Sequence, residues 1–301
     1  MPNLKLNRLL IFSFLLGALA CTKKNDPSLS SEITLSIGFQ PNESQKDLEP
    51  LRLDLEKRTG LKFSFVKTQS YEELVNIFSK AKIDFAFFSP LTFIQAEREG
   101  GAKALLKKVY GNNDFYYSAL VVKNDFKIKK FSDLKGKKVG FVDPKSTSGF
   151  LYPRMMLLQE GFDAGPNANS GEILSHEFFG THEKALEALR DGRVDVVGVW
   201  AEDPKIGKGA WTDSKFSGGA TLPFKVLLYS EPIPNDAFAV REEFYKANPI
   251  FVFKIMEALI GAGEDPSQIL KKVFDVDRMA TATSRHYDSV RGLENMVSIK
   301  K

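Results

Sequence analysis

Short apolar runs alternate with amphipathic segments through the first part of the chain. The apolar runs have the length and residue types of buried strands, and the segments between them have the helical period. The spacing of Ser70 and Glu73 is that of a capping box, and Ser89-Pro90 marks another helix start. This order predicts a parallel sheet covered by helices on both faces. The predicted strands span residues 33–39, 61–66 and 83–88, and the predicted helices span 46–59, 70–80 and 89–99.

A second unit of the same kind begins after a strand pattern at residues 118–123. The next strand pattern ends in Asp143-Pro144-Lys145-Ser146-Thr147-Ser148-Gly149, and a helix pattern follows to Glu160. Because the C-terminal helices have no strand pattern among them, we expect them to pack on the first unit. The predicted strands of this half are 138–142, 177–179, 194–199 and 225–230, and the predicted helices are 182–191, 242–245, 250–262 and 266–274.

The order of the elements predicts two α/β lobes between which the chain crosses twice. Residues 32–118 and 231–301 are assigned to lobe 1, and residues 119–230 to lobe 2 together with the hinge strands. The crossings are expected near 119–123 and 225–230. Two crossing strands form a hinge, and a ligand would bind in the cleft between the lobes.

The N-terminus has the charge and hydropathy order of a bacterial export signal. Lys5 and Arg8 precede a short apolar run at residues 9–16, which is too short to span a bilayer as a mature helix. An Ala-Leu-Ala stretch then leads directly to Cys21. We therefore expect a lipoprotein signal peptide over residues 1–20.

Cys21 is the only cysteine of the chain and would be the first residue after cleavage. This position resembles the lipobox of bacterial lipoproteins, in which the cysteine receives a diacylglycerol. The alternative is ordinary cleavage before an unmodified cysteine, because the Ala-Leu-Ala stretch also fits a general peptidase site. Lipidation is favoured, since a lone free thiol is unusual in an exported protein. The polar residues 21–31 would then tether the folded part to the membrane on its periplasmic or cell-surface side.

Composition excludes several function classes. The formal net charge of +4 falls to about +2 when Lys5 and Arg8 are removed, and no long basic run offers a nucleic-acid surface. His176 and His182 lie near acidic residues, but their spacing matches no zinc signature. We therefore expect no nucleic-acid partner, no metal site and no cofactor.

The segment from Asp143 to Gly149 has the chemistry of an oxyanion site. A strand end leads into three hydroxyl side chains and then into a helix, whose first N–H groups carry partial positive charge. The alternative is that Ser146 or Ser148 only caps the helix. Tyr71 and Ser89 also lie at helix starts, and ligands of open α/β folds bind beyond the carboxyl ends of strands.

The order of several short segments resembles the substrate-binding proteins of phosphonate, phosphite and phosphate ABC importers. The segment Asp143 to Leu151 is followed by Gly180-Thr181-His182-Glu183 and by Val194-Asp195-Val196. Residues 38–44, 83–86, 117–118 and 233–236 agree in the same order. The resemblance covers nearly the whole mature chain.

This resemblance implies a type II periplasmic-binding-protein fold that closes on a small phosphorus oxyanion. It further implies delivery to an ABC permease and ATPase by a receptor that is expected to be a monomer. Phe88 stands where the family has a tyrosine, which removes one hydroxyl donor. The residues expected to bind the phosphoryl oxygens are Tyr71, Ser146, Thr147, Ser148 and His182, while Glu202 and Asp236 are expected to face a ligand ammonium group, as in aminoalkylphosphonate binders.

Three other functions remain open from the residues. A hydrolase could use Ser146, His182 and Asp236, but no nucleophile-elbow, zinc-protease or P-loop motif occurs in the chain. The same fold could also serve as a sensory domain or bind another small anion. A receptor without catalytic activity remains the favoured interpretation.

Overall fold

The computed structural model describes residues 33–44, 46–111, 113–128, 130–169, 171–213, 215–216 and 223–299. The predicted signal peptide and tether, including Cys21, lie outside the described residues. The strands are β1 (Thr34–Phe39), β2 (Lys62–Lys67), β3 (Phe85–Phe88), β4 (Ala102–Val109), β5 (Phe115–Lys123), β6 (Lys138–Phe141), β7 (Phe162–Asp163), β8 (Glu172–Ile173), β9 (Ser175–Phe178), β10 (Val196–Ala201), β11 (Phe224–Tyr229), β12 (Ile233–Pro234), β13 (Ala237–Arg241) and β14 (Arg278–Thr281). The helices are α1 (Pro41–Ser44), α2 (Glu49–Thr59), α3 (Tyr71–Ser79), α4 (Pro90–Gly100), α5 (Tyr152–Gln159), α6 (His182–Arg190), α7 (Glu242–Ala247), α8 (Pro249–Glu264), α9 (Ile269–Phe274) and α10 (Asp288–Ile299).

The first sheet has the strand order β14-β4-β13-β3-β1-β2. Its strands β1, β2 and β3 are parallel, as the sequence pattern predicts. The prediction of a fully parallel sheet is wrong at β13, which lies antiparallel between β3 and β4. This strand returns from the second lobe and therefore enters the sheet from the opposite end. Because β13 reverses direction between them, β3 and β4 point the same way and end at the same edge.

The second sheet has the order β11-β5-β10-β6-β9. Its strands β6, β9 and β10 are parallel and end at one edge, where the antiparallel β5 begins. The short strand β12 pairs with this beginning of β5. Each lobe therefore has one sheet edge at which the carboxyl ends of several strands meet.

The chain crosses between the sheets next to the paired strands β5 and β12. It leaves β4 at Val109 and enters β5 at Phe115, and it returns between Tyr229 and Ala237. The segments at which the crossings are expected, residues 119–123 and 225–230, belong to β5, β11 and the turn after β11. The crossings therefore lie a few residues outside the expected positions, because β5 extends further toward its N-terminus than the sequence pattern indicates.

The core of the first lobe is rich in phenylalanine. The rings of Phe39, Phe87 and Phe238 pack with Phe274 from α9, and α8 contributes several aliphatic side chains to the same cluster. Burying a side chain of this size contributes about 1.5–3 kcal/mol. The expectation that the C-terminal helices pack on the first lobe is confirmed. Among the described residues, no helix combines the length and apolar character needed to cross a membrane.

Candidate ligand-binding site

A cleft of about 1100 Å³ separates the two lobes. It lies where the carboxyl ends of β1, β3 and β4 face those of β6, β9 and β10, which is the usual ligand position in open α/β folds. Both lobes therefore contribute loops that follow strand ends. The predicted site residues that line the cleft are Tyr71, Ser89, Ser146, Thr147, Ser148, His182, Glu202 and Asp236.

Phe88 is not brought to the cleft. Its side chain is fully buried and packs edge-on against Phe78, with 5.1 Å between the ring centroids. Side chains of successive strand residues point to opposite faces, and the residue that reaches the cleft is Ser89, just beyond the end of β3. The ring that the resemblance places against the ligand therefore belongs to the core of the first lobe.

The three hydroxyl residues lie on a wide helical turn that follows β6. The Ser146 Oγ accepts the Gly149 N–H at 3.0 Å, so Ser146 does cap the helix. The turn packs tightly on Val142, the residue directly after β6, because a Cβ on Gly149 would lie 2.4 Å from Val142 Cγ2. At the first turn of a helix the N–H groups have no intrahelical acceptor, which leaves those of Thr147 and Ser148 suited to an anion.

Thr147 connects the two lobes. Its Oγ1 accepts the N–H of Leu91 at 2.9 Å, and Leu91 lies in the first turn of α4 in the first lobe. A hydroxyl that accepts one hydrogen bond still has its own proton to donate. The Thr147 hydroxyl can thus donate one further hydrogen bond at the cleft while its oxygen connects the two lobes.

Tyr71 is the first residue of α3 and is almost fully buried. Ser70 caps this helix by accepting the N–H of Glu73 at 3.0 Å, which fixes the position of the tyrosine. The Tyr71 hydroxyl accepts a hydrogen bond of 2.8 Å from Asn42 Nδ2 and also contacts Ser146. Burial raises the pKa of Tyr71, so the hydroxyl keeps its proton.

His182 is a neutral donor at the start of α6. Its Nδ1 accepts the backbone N–H of Trp200 at 3.2 Å, so the proton of the neutral ring is on Nε2. Burial lowers the pKa of His182 to about 3, which keeps the ring uncharged at neutral pH. Tyr71, Ser89, Ser146, Thr147, Ser148 and His182 together form what we call the oxyanion side of the cleft.

A second cluster, the carboxylate side, consists of Glu43, Lys108 and Asp236. The Lys108 Nζ donates to Asp236 Oδ2 at 3.2 Å and also to Glu43 Oε1. All three residues line the cleft, and the lysine side chain is only 3% exposed. Burial raises the pKa of Glu43 against the attraction of Lys108. Burial alone would lower the pKa of Lys108, but the two carboxylates outweigh it and raise that pKa.

Gln40 joins the two sides of the cleft. Its Oε1 accepts the Ser89 N–H at 3.0 Å, and its Nε2 donates to Asp236 Oδ2 at 3.2 Å. Asp236 therefore already has two donors from the protein. The expectation that Glu202 and Asp236 face a ligand ammonium group stays a prediction, and at Asp236 such a group would share its carboxylate with these two donors.

Glu202 lies on the opposite lobe, directly after β10. Its backbone N–H donates to Lys208 O at 2.9 Å, and the residue is partly exposed. Its carboxylate has no hydrogen bond or ion pair within the described part of the chain. Glu202 is thus the one predicted acidic residue whose charge faces the cleft without a partner among the described residues.

Sequence reasoning missed Gln40, Glu43, Lys108 and Tyr116. The Tyr116 hydroxyl hydrogen-bonds Ser148, and its ring lines the cleft. The two lysines 107 and 108 within an otherwise apolar run at 104–109 were the one indication in the sequence of a buried charge. Within the described ranges, no group of three or more His, Cys, Asp or Glu side chains is arranged to hold a metal ion.

Comparison with known proteins gives one family. The model of the family described as "ABC transporter, phosphonate, periplasmic substrate-binding protein" matches residues 36–287. The chain is 32% identical over 238 residues to the phosphate-import protein PhnD of Mycolicibacterium smegmatis, covering 75% of this chain and 73% of that protein. It is 30% identical over 247 residues to the phosphonates-binding periplasmic protein of Escherichia coli, covering 79% of this chain and 68% of that protein.

Solved structures show the same fold. PhnD1 from Prochlorococcus marinus, in complex with methylphosphonate, superposes with a TM-score of 0.73 at 16% identity and covers 88% of this chain and 98% of that chain. The periplasmic aliphatic sulphonate-binding protein SsuA of Escherichia coli superposes with a TM-score of 0.52 at 18% identity and covers 86% of this chain and 78% of that chain. The predicted type II periplasmic-binding-protein fold is confirmed.

Proposed function

The chain belongs to the family of periplasmic substrate-binding proteins of phosphonate ABC transporters, and from this membership we propose that it captures a small phosphorus oxyanion in the cleft between its lobes. The bound ligand would then be delivered to an ABC permease and its ATPase. The observation that carries the proposal is the set of uncharged donors from both lobes that meet on the oxyanion side of the cleft.

The geometry of these donors supports a tetrahedral anion as the ligand. Hydroxyls from the first lobe face hydroxyls, backbone N–H groups and a neutral imidazole from the second lobe. A phosphonate group has three oxygens and can therefore accept from both lobes at once. Since such a ligand binds the closed form better than the open form, binding shifts the protein toward closure.

The names of the relatives support phosphorus chemistry as the ligand class. One relative is named for phosphate import and another for phosphonates, and a protein of the same fold was solved with methylphosphonate. These compounds share a tetrahedral phosphorus with negatively charged oxygens. We propose this shared group as the part of the ligand that the oxyanion side binds.

The contacts in the cleft argue against hydrolysis. His182 Nδ1 accepts the Trp200 N–H, so this nitrogen cannot donate to an orienting carboxylate. Asp236 accepts from Lys108 and Gln40, and among the described residues no hydrogen bond joins it to His182. Ser146 uses its oxygen as a helix cap. A hydrolytic triad of these three residues would need the bonds of His182 and Asp236 to be broken.

We further propose that the protein is exported and held at the membrane as a monomer through a lipid on Cys21. The order of basic, apolar and small residues before Cys21 supports this. Labelled palmitate should be incorporated into the wild-type protein when it is expressed in a bacterial host and should be absent from Cys21→Ala. Equal labelling of both proteins would contradict the anchor, and a dimer mass of the lipid-free domain in light scattering would contradict the monomer.

A thermal-shift screen of the purified protein tests the ligand class. Phosphate, phosphite, methylphosphonate and 2-aminoethylphosphonate are compared with acetate and sulfate at equal concentration and ionic strength. A ligand that binds only the folded state raises the melting temperature, by an amount that grows with its concentration over its Kd. At least one phosphorus compound should raise the melting temperature well above the acetate control. No shift with any of the four would contradict the proposed function.

A further inference from the structure

We propose that Lys108 is a specificity-determining residue, whose ammonium group occupies the carboxylate side of the cleft and thereby selects phosphorus oxyanions that carry no amino group. This inference rests on the proposed function and narrows its ligand to compounds such as phosphate, phosphite or methylphosphonate. It reverses the expectation that Asp236 binds an ammonium group of the ligand.

The first step is the position of the lysine. Its Nζ lies between two carboxylates and donates to both Glu43 and Asp236. It also lies 4.9 Å from the ring centroid of Phe274 and 5.5 Å from that of Phe87. Carboxylates and aromatic faces are the groups that a buried ammonium needs. The Lys108 ammonium thus occupies a position whose surrounding groups stabilise a cation.

The second step is that this arrangement is fixed by the fold. The Lys108 backbone N–H donates to Asp236 O at 3.1 Å, because β4 and β13 pair side by side. The two side chains therefore start from neighbouring backbone positions. With only 3% of the lysine side chain exposed, the ammonium is enclosed and cannot move out to solvent as a surface lysine does.

The third step concerns charge. An ammonium group of a ligand that contacted Asp236 would lie within a few ångströms of the Lys108 ammonium, and the two like charges would repel each other in a partly dry cleft. Asp236 Oδ2 is also already taken by Lys108 and Gln40. The Glu43 Oε2 has no hydrogen-bond partner among the described residues, but it is buried, and the other oxygen of the same carboxylate accepts from Lys108. Among the described residues, the carboxylates of Glu43 and Asp236 are already bonded to Lys108, which would compete with a ligand ammonium group. The carboxylate of Glu202 has no such partner in the described ranges.

Calorimetric titration of the wild-type protein with methylphosphonate and 2-aminoethylphosphonate tests the inference without any variant. We expect methylphosphonate to bind at least about tenfold more tightly. Equal or tighter binding of 2-aminoethylphosphonate would overturn the role of Lys108 and leave the proposed function intact. Binding of no phosphorus oxyanion at all would overturn the proposed function and this inference with it.

A variant reports on the lysine itself. Lys108→Ala removes the ammonium and leaves space beside two carboxylates, so the preference for methylphosphonate over 2-aminoethylphosphonate should fall by at least about tenfold. Lys107→Ala is the matched control, because Lys107 is also buried and paired, with Asp114 at 3.1 Å, but does not line the cleft. The control should keep the wild-type preference. An unchanged preference in Lys108→Ala would overturn the inference, and so would the same change in both variants.

Lys108→Met provides a second route if the alanine variant does not fold. Methionine has a similar length and fills the same space without a charge. It removes the repulsion of a ligand ammonium, so the preference for methylphosphonate should again decrease, although less than in the alanine variant. A preference as large as that of the wild type would contradict the electrostatic origin of the selectivity.

Discussion

On the oxyanion side of the cleft, uncharged donors face the proposed ligand position, whereas on the carboxylate side one ammonium group is paired with two carboxylates. His182 shows the first case, since it is kept neutral by burial and donates through Nε2. Lys108 shows the second, since it is held charged by Glu43 and Asp236. Both sides are buried. The oxyanion side avoids the cost of a buried charge by using neutral groups, and the carboxylate side lowers that cost by pairing opposite charges.

This difference has a consequence for binding. The donors on the oxyanion side are uncharged and need no counter-charge. They can therefore stay buried when no anion is bound in the cleft. The carboxylate side contributes little attraction to an anionic ligand, because the cation of this cluster, Lys108, is already paired with two carboxylates. Changes on the carboxylate side should therefore alter stability and selectivity, while changes on the oxyanion side should alter affinity in addition to any effect on stability.

The largest effect is expected from breaking the buried ion pairs. Lys108→Met leaves Glu43 and Asp236 without their cation, and removal of one partner of a buried pair costs about 3–5 kcal/mol. Urea denaturation of the ligand-free proteins measures this loss. Lys107→Met should lose much less, because its partner Asp114 is 44% exposed and can be solvated. Equal losses in the two variants would show that the cluster has no special role.

The same variant gives a pH dependence with a defined sign. The folded-state pKa of Glu43 is raised by burial, so its contribution to stability is present at low pH and lost as the pH rises through that pKa. Lys108→Met removes the opposing attraction and strengthens this effect. The stability difference between the wild type and Lys108→Met should therefore decrease as the pH is lowered from neutral toward the ordinary range of a carboxyl pKa. A difference that is constant with pH would show that Lys108 does not lower the pKa of Glu43.

The next effect is expected at His182. Its pKa is about 3 in the folded protein and near 6.5 when exposed, so below pH 6.5 the unfolded state gains a proton that the folded state does not. Stability is thus lost as the pH falls from 6.5 toward 3, by about 2 kcal/mol at pH 5. His182→Gln has no histidine at this position and should not show this loss. The difference in unfolding free energy between the wild type and the variant should therefore shrink by about 2 kcal/mol between pH 7.5 and pH 5. Parallel curves for the two proteins would contradict a buried neutral imidazole.

The smallest effect is expected at Glu202. Its carboxylate is unpaired among the described residues and faces the cleft, so Glu202→Gln removes a repulsion of an anionic ligand and should tighten methylphosphonate binding by about two- to threefold. Glu187→Gln makes the same change of net charge away from the cleft lining and should leave the affinity unchanged. Weaker binding in Glu202→Gln, measured by calorimetry, would show that this carboxylate contacts the ligand favourably.

Much of the oxyanion side could be predicted from the sequence because its residues follow strand ends that the apolar pattern reveals. Ser146 to Ser148 stand directly between a strand and a helix, and Tyr71 and His182 each begin a helix. Local capping chemistry fixes these positions, as for Ser70, whose oxygen accepts the N–H of Glu73. Parallel strands then bring the turns together at one edge of each sheet.

The carboxylate side could not be predicted in this way because it depends on one strand inserted from far along the chain. β13 places Ala237 opposite both Phe88 and Lys107, which brings Asp236 next to Lys108. Its five residues form a short apolar run that is compatible with a buried strand, but such a run does not show between which strands it inserts. Phe88 shows the same limit, since only the packing against Phe78 shows that its ring belongs to the core.

The most direct test of the oxyanion side compares two buried threonines by calorimetry with methylphosphonate. Thr147 Oγ1 accepts the N–H of Leu91, and Thr59 Oγ1 accepts the N–H of Leu61 at 3.1 Å, far from the cleft lining. Valine at either position leaves one buried N–H unpaired, which costs about 1–3 kcal/mol. Thr59→Val also removes a hydroxyl bond of 2.7 Å to Leu55 O, so it should lose at least as much stability as Thr147→Val.

Only Thr147→Val also removes a hydroxyl that is expected to donate to the charged ligand. Such a bond is worth about 1.5–3 kcal/mol, which corresponds to at least about tenfold in Kd. Methylphosphonate should therefore bind Thr147→Val at least about tenfold more weakly than the wild type, and Thr59→Val should stay within about twofold. Wild-type affinity in Thr147→Val would contradict capture of the oxyanion between the lobes.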